Sequence, residues 1–258
     1  MINRIIANQT VRNSLTLTHR NLLKTLHNPD NVSDVIVQPI IFTLLFGYLF
    51  GGVIAGSVHA YLPMLVSGIL VQSILNAASG SGQQLREDIN HGIFDRFKTL
   101  PIAPIAPLAG QLFGDSLRLL LSGAMALLTA ALMGWRPTVN CGAVMLALLL
   151  AVFIGWSTSW IFALVGLLVK NAELISSLSM IIILILTFLS NAFIPVKTLP
   201  PFLQTIVHIN PVTTTITAIR AILNTGHWNG TATMVLISGG LIIMLFMPLT
   251  VVVYQQRD

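Results

Sequence analysis

YLPMLVSGILVQSILNAASGSG, residues 61–82, runs without a break into QQLREDINHGIFDRFKTLPIAP, residues 83–104. The first run has no charged residue over 22 positions, and at 1.5 Å per residue a helix of that length crosses a hydrocarbon layer of about 30 Å. The second carries Arg86, Glu87, Asp88, Asp95, Arg96 and Lys98, which lipid does not tolerate. A membrane-crossing helix therefore leads into a charged segment that must stand in water.

Five further stretches meet the same length and polarity test, at residues 35–54, 108–133, 141–169, 172–193 and 232–254. Charged residues make up 8% of the 258 and hydrophobic ones 55%, against about 25% charged in ordinary soluble domains. Six spans with short connections leave no room for a soluble domain. The expected fold is an all-α polytopic membrane protein, a single transmembrane domain over residues 1–258.

Orientation follows from the basic residues, which concentrate in cytoplasmic loops. Arg4, Arg12, Arg20 and Lys24 precede the first span, Arg86, Arg96 and Lys98 separate the second from the third, Lys170 precedes the fifth, and Arg257 follows the sixth. These nine share one side, against Arg136, Lys197 and Arg220 on the other and Arg118 within a span. Both termini are expected in the cytoplasm and the chain in the plasma or inner membrane. The net charge of +5 is spread over span ends rather than gathered in a run with interleaved aromatics, which argues against nucleic acid as a partner. No cleavable secretory signal is read in the first thirty residues, so the first span serves as an uncleaved anchor. Cys141 is the single cysteine, which excludes an intrachain disulfide and a thiolate-rich metal site.

Before the first span, Val11, Leu15, Leu22 and Leu26 fall on one helical face with Arg20 and Lys24 opposite, and Asn28-Pro29-Asp30 breaks the pattern. Residues 1–33 are thus read as an amphipathic helix on the inner leaflet, either a simple anchor or also a contact for a cytosolic partner. In the charged segment, Ile89, Ile93, Phe97 and Leu100 make an apolar stripe, Gly92 weakens the middle and Pro101 ends the helix. Residues 85–100 read as a short knob with aromatic tips, and its three acids balance three bases. A helix resting on lipid favours net basic charge, so docking to a protein fits better.

Within the second span, Gln72, Asn76, Ser79 and Gln83 succeed one another at intervals of 4, 3 and 4, a polar stripe on an apolar helix. In hydrocarbon such groups need partners, so they hold helices together or border a water-accessible path. Ser176, Ser179, Thr187, Ser190 and Asn191 of the fifth span are a second polar source that can meet them. Asp115 and Arg118 stand at i and i+3 and can pair on one face, with the long apolar run after Arg118 placing them at the inner interface. Residues 194–231 are apolar but cut by Pro200, Pro201 and Pro211 into pieces too short to span, which suits re-entrant helices on the outer side. In the second piece Val212, Ile216, Ile219 and Leu223 form a stripe, with Arg220 off it. Trp156 and Trp160 share a face as packing residues, and the histidines show no metal-binding spacing. No Gly-Lys pair occurs, so the phosphate-cradling loop of ATPases is missing.

GIFDRFKTLPIAP at residues 92–104, SNAFIPVKTLP at 190–200 and INPVTTTITAIRAILNTG at 209–226 together resemble the type-2 ATP-binding-cassette export permeases, in particular the daunorubicin-resistance-type drug exporters. The resemblance covers nearly the whole chain. It implies a coupling helix in residues 83–107 that sits in a groove of a separate ATPase subunit, a role carried by Glu87, Asp88, Gly92, Phe94, Asp95, Arg96, Phe97 and Lys98. It also implies a second, identical permease subunit, with ATP and Mg bound on the ATPase partner and no cofactor on this chain. Gln72, Asn76, Ser79, Gln83, Ser190 and Asn191 are the candidates for the substrate path, and Asp115 and Arg118 for an ion pair. The expected cargo is a lipophilic small molecule, drug-like or lipid-like. Export of a polysaccharide or lipid-linked glycan is the alternative within transport. A membrane-embedded enzyme needs a clustered nucleophile, base or metal site in the spans, where only Asp115 and Arg118 stand.

Overall fold

Lipid offers no hydrogen-bond partners, so an apolar run must satisfy its own backbone as a helix. The computed structural model describes residues 33–92 and 106–256 and is built in that way, with no strand among them. A π-helical turn at Ser33–Val37 leads into α1, Gln38–Ala55, followed by α2, Val58–Asn90, α3, Ala106–Leu132, α4, Cys141–Leu168, and α5, Ala172–Phe188. A short turn at Val196–Thr198 precedes α6, Pro201–Ile209, and α7, Pro211–Thr225, and α8, Gly230–Gln255, closes the described chain. The amphipathic helix expected over residues 1–33 and the coupling residues Phe94, Asp95, Arg96, Phe97 and Lys98 lie outside the described residues.

Among the described residues five stretches are long and apolar enough to cross a membrane, Ser33–Ala55, Val58–Asn90, Gly114–Leu132, Cys141–Leu168 and Gly230–Gln255. Helices α6 and α7 meet at 79° and pass the same test only as a bent pair, while α5 is a shorter apolar helix of 17 residues. The fifth span, expected to run to residue 193, therefore stops at Phe188. Its last carbonyls explain the stop: the Asn210 side-chain amide donates to Leu186 O at 2.6 Å and Leu189 O at 2.7 Å, giving the groups a helix end leaves orphaned a partner from outside.

Helix α2 is the centre of the bundle, in contact with α1, α3, α4, α5 and α7. Leu62, Leu65, Ile69, Leu70 and Ile74 are almost wholly buried, because α2 has neighbours on most of its sides. The outer faces of α1, α5 and α8 keep Tyr48, Met180, Ile181, Leu241 and Met244 exposed, as lipid contact requires. Towards its charged end α2 meets α4 at Gly82, which lies against the Phe162 carbonyl and against Gly166, leaving no space for a side chain. A second apolar cluster forms there from Leu85, Trp160, Ala163 and Leu167, with Ile89 and residues of α8 packed on it. Trp156 and Trp160 pack edge to face, ring centres 6.0 Å apart.

The charged segment differs from its expected form. Helix α2 continues unbroken to Asn90, about 50 Å for its 33 residues, so Glu87, Asp88 and Ile89 belong to the span's own extension and not to a separate knob. Gly92 has φ 66°, the left-handed conformation that ends helices, and so stops α2 where the expectation put it in a helix middle.

Gly82→Ala should force α2 from α4 and destabilise the bundle by about 1–3 kcal/mol, the usual range for overpacking. Gly240→Ala on α8 meets nothing within 4 Å and should leave stability unchanged. Thermal unfolding of the two purified variants in detergent compares them, and equal melting temperatures would refute the close contact.

Candidate functional site

The charged end of α2 is braced by the bundle. Leu85 and Asp88 are buried, Arg86 and Glu87 half-buried, and Asn90 and His91 exposed. The braces are the cluster around Trp160 and the Thr250 hydroxyl of α8, which donates to Trp160 O at 3.3 Å. A force on the segment therefore acts on α2 directly and on α4 and α8 through packing.

Deeper in, Asp115 and Arg118 of α3 pair at 3.1 Å, their side chains 3% and 4% exposed. The Arg118 guanidinium also donates to α2, to Ala77 O at 2.6 Å and to the Ser81 hydroxyl at 3.2 Å. Nearby Gln111 donates to Ser81 O at 3.2 Å, and the Ser122 hydroxyl to Ser73 O at 3.2 Å. The pair is thus the centre of a polar row tying α3 to α2. A buried cation is tolerable here because a carboxylate and a carbonyl face it together.

The polar stripe of α2 runs along α5. At one end the Ser176 hydroxyl of α5 donates to Gln83 Oε1 at 2.6 Å, and Gln83 Nε2 in turn reaches Glu87 at 3.5 Å. At the other, Gly68, one turn beyond Gln72 on the same face, lies against the backbone of Ala192. Between them Ser79 bonds back to Asn76 O at 2.7 Å, Asn76 is half-buried, and buried Gln72 Oε1 has no hydrogen-bond partner among the described residues. Ser190 and Asn191 do not join this stripe. Ser190 caps the chain after α5, accepting from Ala192 N at 3.1 Å, and the Asn191 amide donates to Thr217 of α7 at 2.9 Å.

Arg220 of α7 is the residue that spacing left aside. Its Nε donates to the Ser67 hydroxyl at 3.0 Å, and one terminal nitrogen reaches Met64 O at 3.2 Å and Asn191 O at 2.7 Å. Beside it the Tyr61 hydroxyl donates to Phe193 O at 2.6 Å. One guanidinium thereby clamps α7, the start of α2 and the non-helical chain after α5. The signal for it was present in sequence, because Thr213, Thr217 and Arg220 fall at intervals of 4 and 3 and make a polar ridge beside the apolar stripe of Val212, Ile216, Ile219 and Leu223.

The model of the ABC-2 type transporter family matches residues 12–224. The chain belongs to the ABC-2 type transporter family. The permease is 37% identical over 249 residues to the daunorubicin resistance ABC transporter permease protein DrrB1 of Streptomyces coeruleorubidus, covering 95% of its own length and 87% of that protein's. It is 28% identical to the putative transport permease ycf38 of Porphyra purpurea, over 87% of this chain and 78% of the relative. It is also 28% identical to the inner membrane transport permease YadH of Escherichia coli K12, over 72% and 74%. Permeases of this family normally work with an ATP-binding cassette subunit. In the permease, α2 is then the one helix that carries the charged stem, the polar stripe and the acceptors of both Arg118 and Arg220.

Two outcomes are expected. Asp115→Asn or Arg118→Gln alone leaves a buried charge uncompensated and should cost about 3–5 kcal/mol, whereas the double variant should regain most of the folded protein because Gln can still donate to Ala77 O. Folded yield by size-exclusion chromatography reads this, and a double variant no better than the singles contradicts the pairing. Arg220→Met should cost at least about 1.5–3 kcal/mol, the range for one hydrogen bond to a charged group. Arg220→Lys should recover only part of it, since an ammonium cannot hold the same fork of acceptors. Melting temperatures order the three proteins, and Lys equal to wild type would show that charge alone matters.

Proposed function

We propose that the permease is the membrane subunit of an ATP-driven exporter that carries a lipophilic small molecule, drug-like or lipid-like, out of the cytoplasm. The observation that carries this reading is the 37% identity, across nearly the full length of both chains, to a permease named for daunorubicin resistance. Two identical copies act with two separate ATPase subunits, which bind ATP and Mg. The chain lies in the plasma or inner membrane with both termini in the cytoplasm, as its basic residues suggest.

Residues 83–107 dock the ATPase, with Phe94 and Phe97 as apolar anchors and Glu87, Asp88, Asp95, Arg96 and Lys98 around them. Closure of the ATPase pair pushes the stem. Because α2 is one unbroken helix from the stem to Val58, the push is transmitted along it as a rigid-body shift. Gln72, Asn76, Ser79 and Gln83 border the path when α5 moves off α2. The bond from Ser176 to Gln83 is among the first that such a motion breaks.

Reconstitution of the permease with its ATPase in vesicles tests the reading: daunorubicin should stimulate ATP hydrolysis and move across the membrane only with ATP. An assembled complex that hydrolyses ATP without moving any lipophilic compound would overturn it. The Phe94→Ala, Phe97→Ala double variant should insert normally yet lose the ATPase on co-purification and lose transport with it. Normal co-purification and transport in that variant remove the docking role of the two rings.

A further inference from the structure

Helix α8 packs on α4 and α5 chiefly on α2, and α5 and α8 scarcely touch each other. The wedge between them is a cavity of about 460 Å³, backed by Leu75 of α2 and by Thr158 and Phe162 of α4, and crossed at one end by Val212 and Thr215 of α7. That size falls within the roughly 300–1,000 Å³ of small-molecule sites.

The lining dictates the chemistry of an occupant. No charged side chain takes part, and three of its four hydroxyls donate to their own helices: Thr158 to Ile154 O and Gly155 O, Thr215 to Pro211 O, Ser238 to Val235 O; the fourth is Ser179 of α5. A charged or strongly polar ligand would lose its hydration here with at most one hydroxyl in return. The mouth is formed by Leu178 and Ile182 of α5, each 50% exposed, facing the same way as the lipid-exposed surfaces of α5 and α8. An occupant therefore comes from the bilayer, not from water. A phospholipid seated here would find no charged side chain for its headgroup, which an uncharged molecule does not need.

We infer that the wedge between α5 and α8 is a binding seat for an uncharged, largely apolar molecule of drug size that enters sideways from the lipid. The inference deepens the export reading and rests on it, since it supplies the cargo's point of capture within one copy of the permease.

Cys141 is the only cysteine, so a Cys141→Ser background with Ser238→Cys places a single thiol on the wedge, and Met244→Cys places one on the lipid-facing side of the same helix. Both are labelled with pyrene maleimide in phospholipid vesicles, with and without Nile red, an uncharged lipophilic dye. With the dye at about ten times its dissociation constant, labelling of Ser238→Cys should slow about tenfold and that of Met244→Cys should not. Adding Ile242→Trp, which fills the wedge, should abolish the protection; if that protein does not fold, Thr215→Leu narrows the same space from α7.

ATP-driven transport of Nile red and of daunorubicin by the wild-type complex is measured beside it, transport of either counting as export. Transport with no dye protection overturns the seat and leaves export standing. Protection without transport keeps the seat and removes export, and the absence of both removes both. Labelling that is slow in lipid with or without dye, and fast in short-chain detergent, overturns the inference by showing a lipid chain in the wedge.

Discussion

A chain in hydrocarbon must find a partner for every backbone polar group, and the break after Phe188 decides how the hairpin end of this bundle is built. After Phe188 the chain is not helical until Val196, so the last carbonyls of α5 and those of the following loop have no partner of their own. Asn210 takes two of them, Arg220 takes Asn191 O, and Tyr61 takes Phe193 O. Asn210 also caps α7 by accepting from Val212 N at 2.9 Å. The same residue that ends α5 thus starts α7, and the hairpin is held against the bundle by the groups it satisfies.

Function in this fold needs a rigid element that crosses the whole bundle, and α2 has the length. It is braced near the charged end by Trp160 and Leu167, crosses α4 at Gly82, meets α5 at Gln83, and at its start bonds Phe193 through Tyr61 and Arg220 through Met64 and Ser67. Apolar packing resists compression in every direction, while the hydrogen bonds to α5 and α7 are few and directional. A shift of α2 therefore keeps its contacts with α4 and breaks discrete bonds at α5 and α7.

Much of this was legible because hydropathy and spacing are local. The span limits follow from apolar runs, and the pairing of Asp115 with Arg118 from their i, i+3 spacing. The hairpin boundaries follow from Pro200, Pro201 and Pro211. What stayed hidden depends on residues far apart in the chain. No local signal says that α5 stops at Phe188, because Asn210 supplies the reason from the hairpin. Gly82 reads as one small residue among several until Phe162 and Gly166 stand against it. The polar stripe was open between packing and path for the same cause: its neighbour, α5, is about ninety residues away, as the bond from Ser176 to Gln83 shows.

Two arginines from different helices grip α2 in one way. Arg118 binds Ala77 O and the Ser81 hydroxyl, and Arg220 binds Met64 O and the Ser67 hydroxyl, in each case a helical carbonyl and the serine about one turn further on. Arg118 uses the second lone pair of a carbonyl already engaged in the helix, while Arg220 shares Met64 O with the Ser67 hydroxyl, which donates to it at 2.9 Å. Their electrostatics differ. Arg118 faces Asp115, and the pair moves as a neutral unit within α3, so releasing it from α2 leaves both charges matched. Arg220 has only neutral acceptors among the described residues, and carbonyl dipoles hold it in place of a counter-ion. Water competes with dipoles far better than with a buried carboxylate, so hydration loosens the α7 clamp more readily than the α3 row. The half of the bundle that carries the hairpin is therefore the half in which wetting and opening reinforce each other.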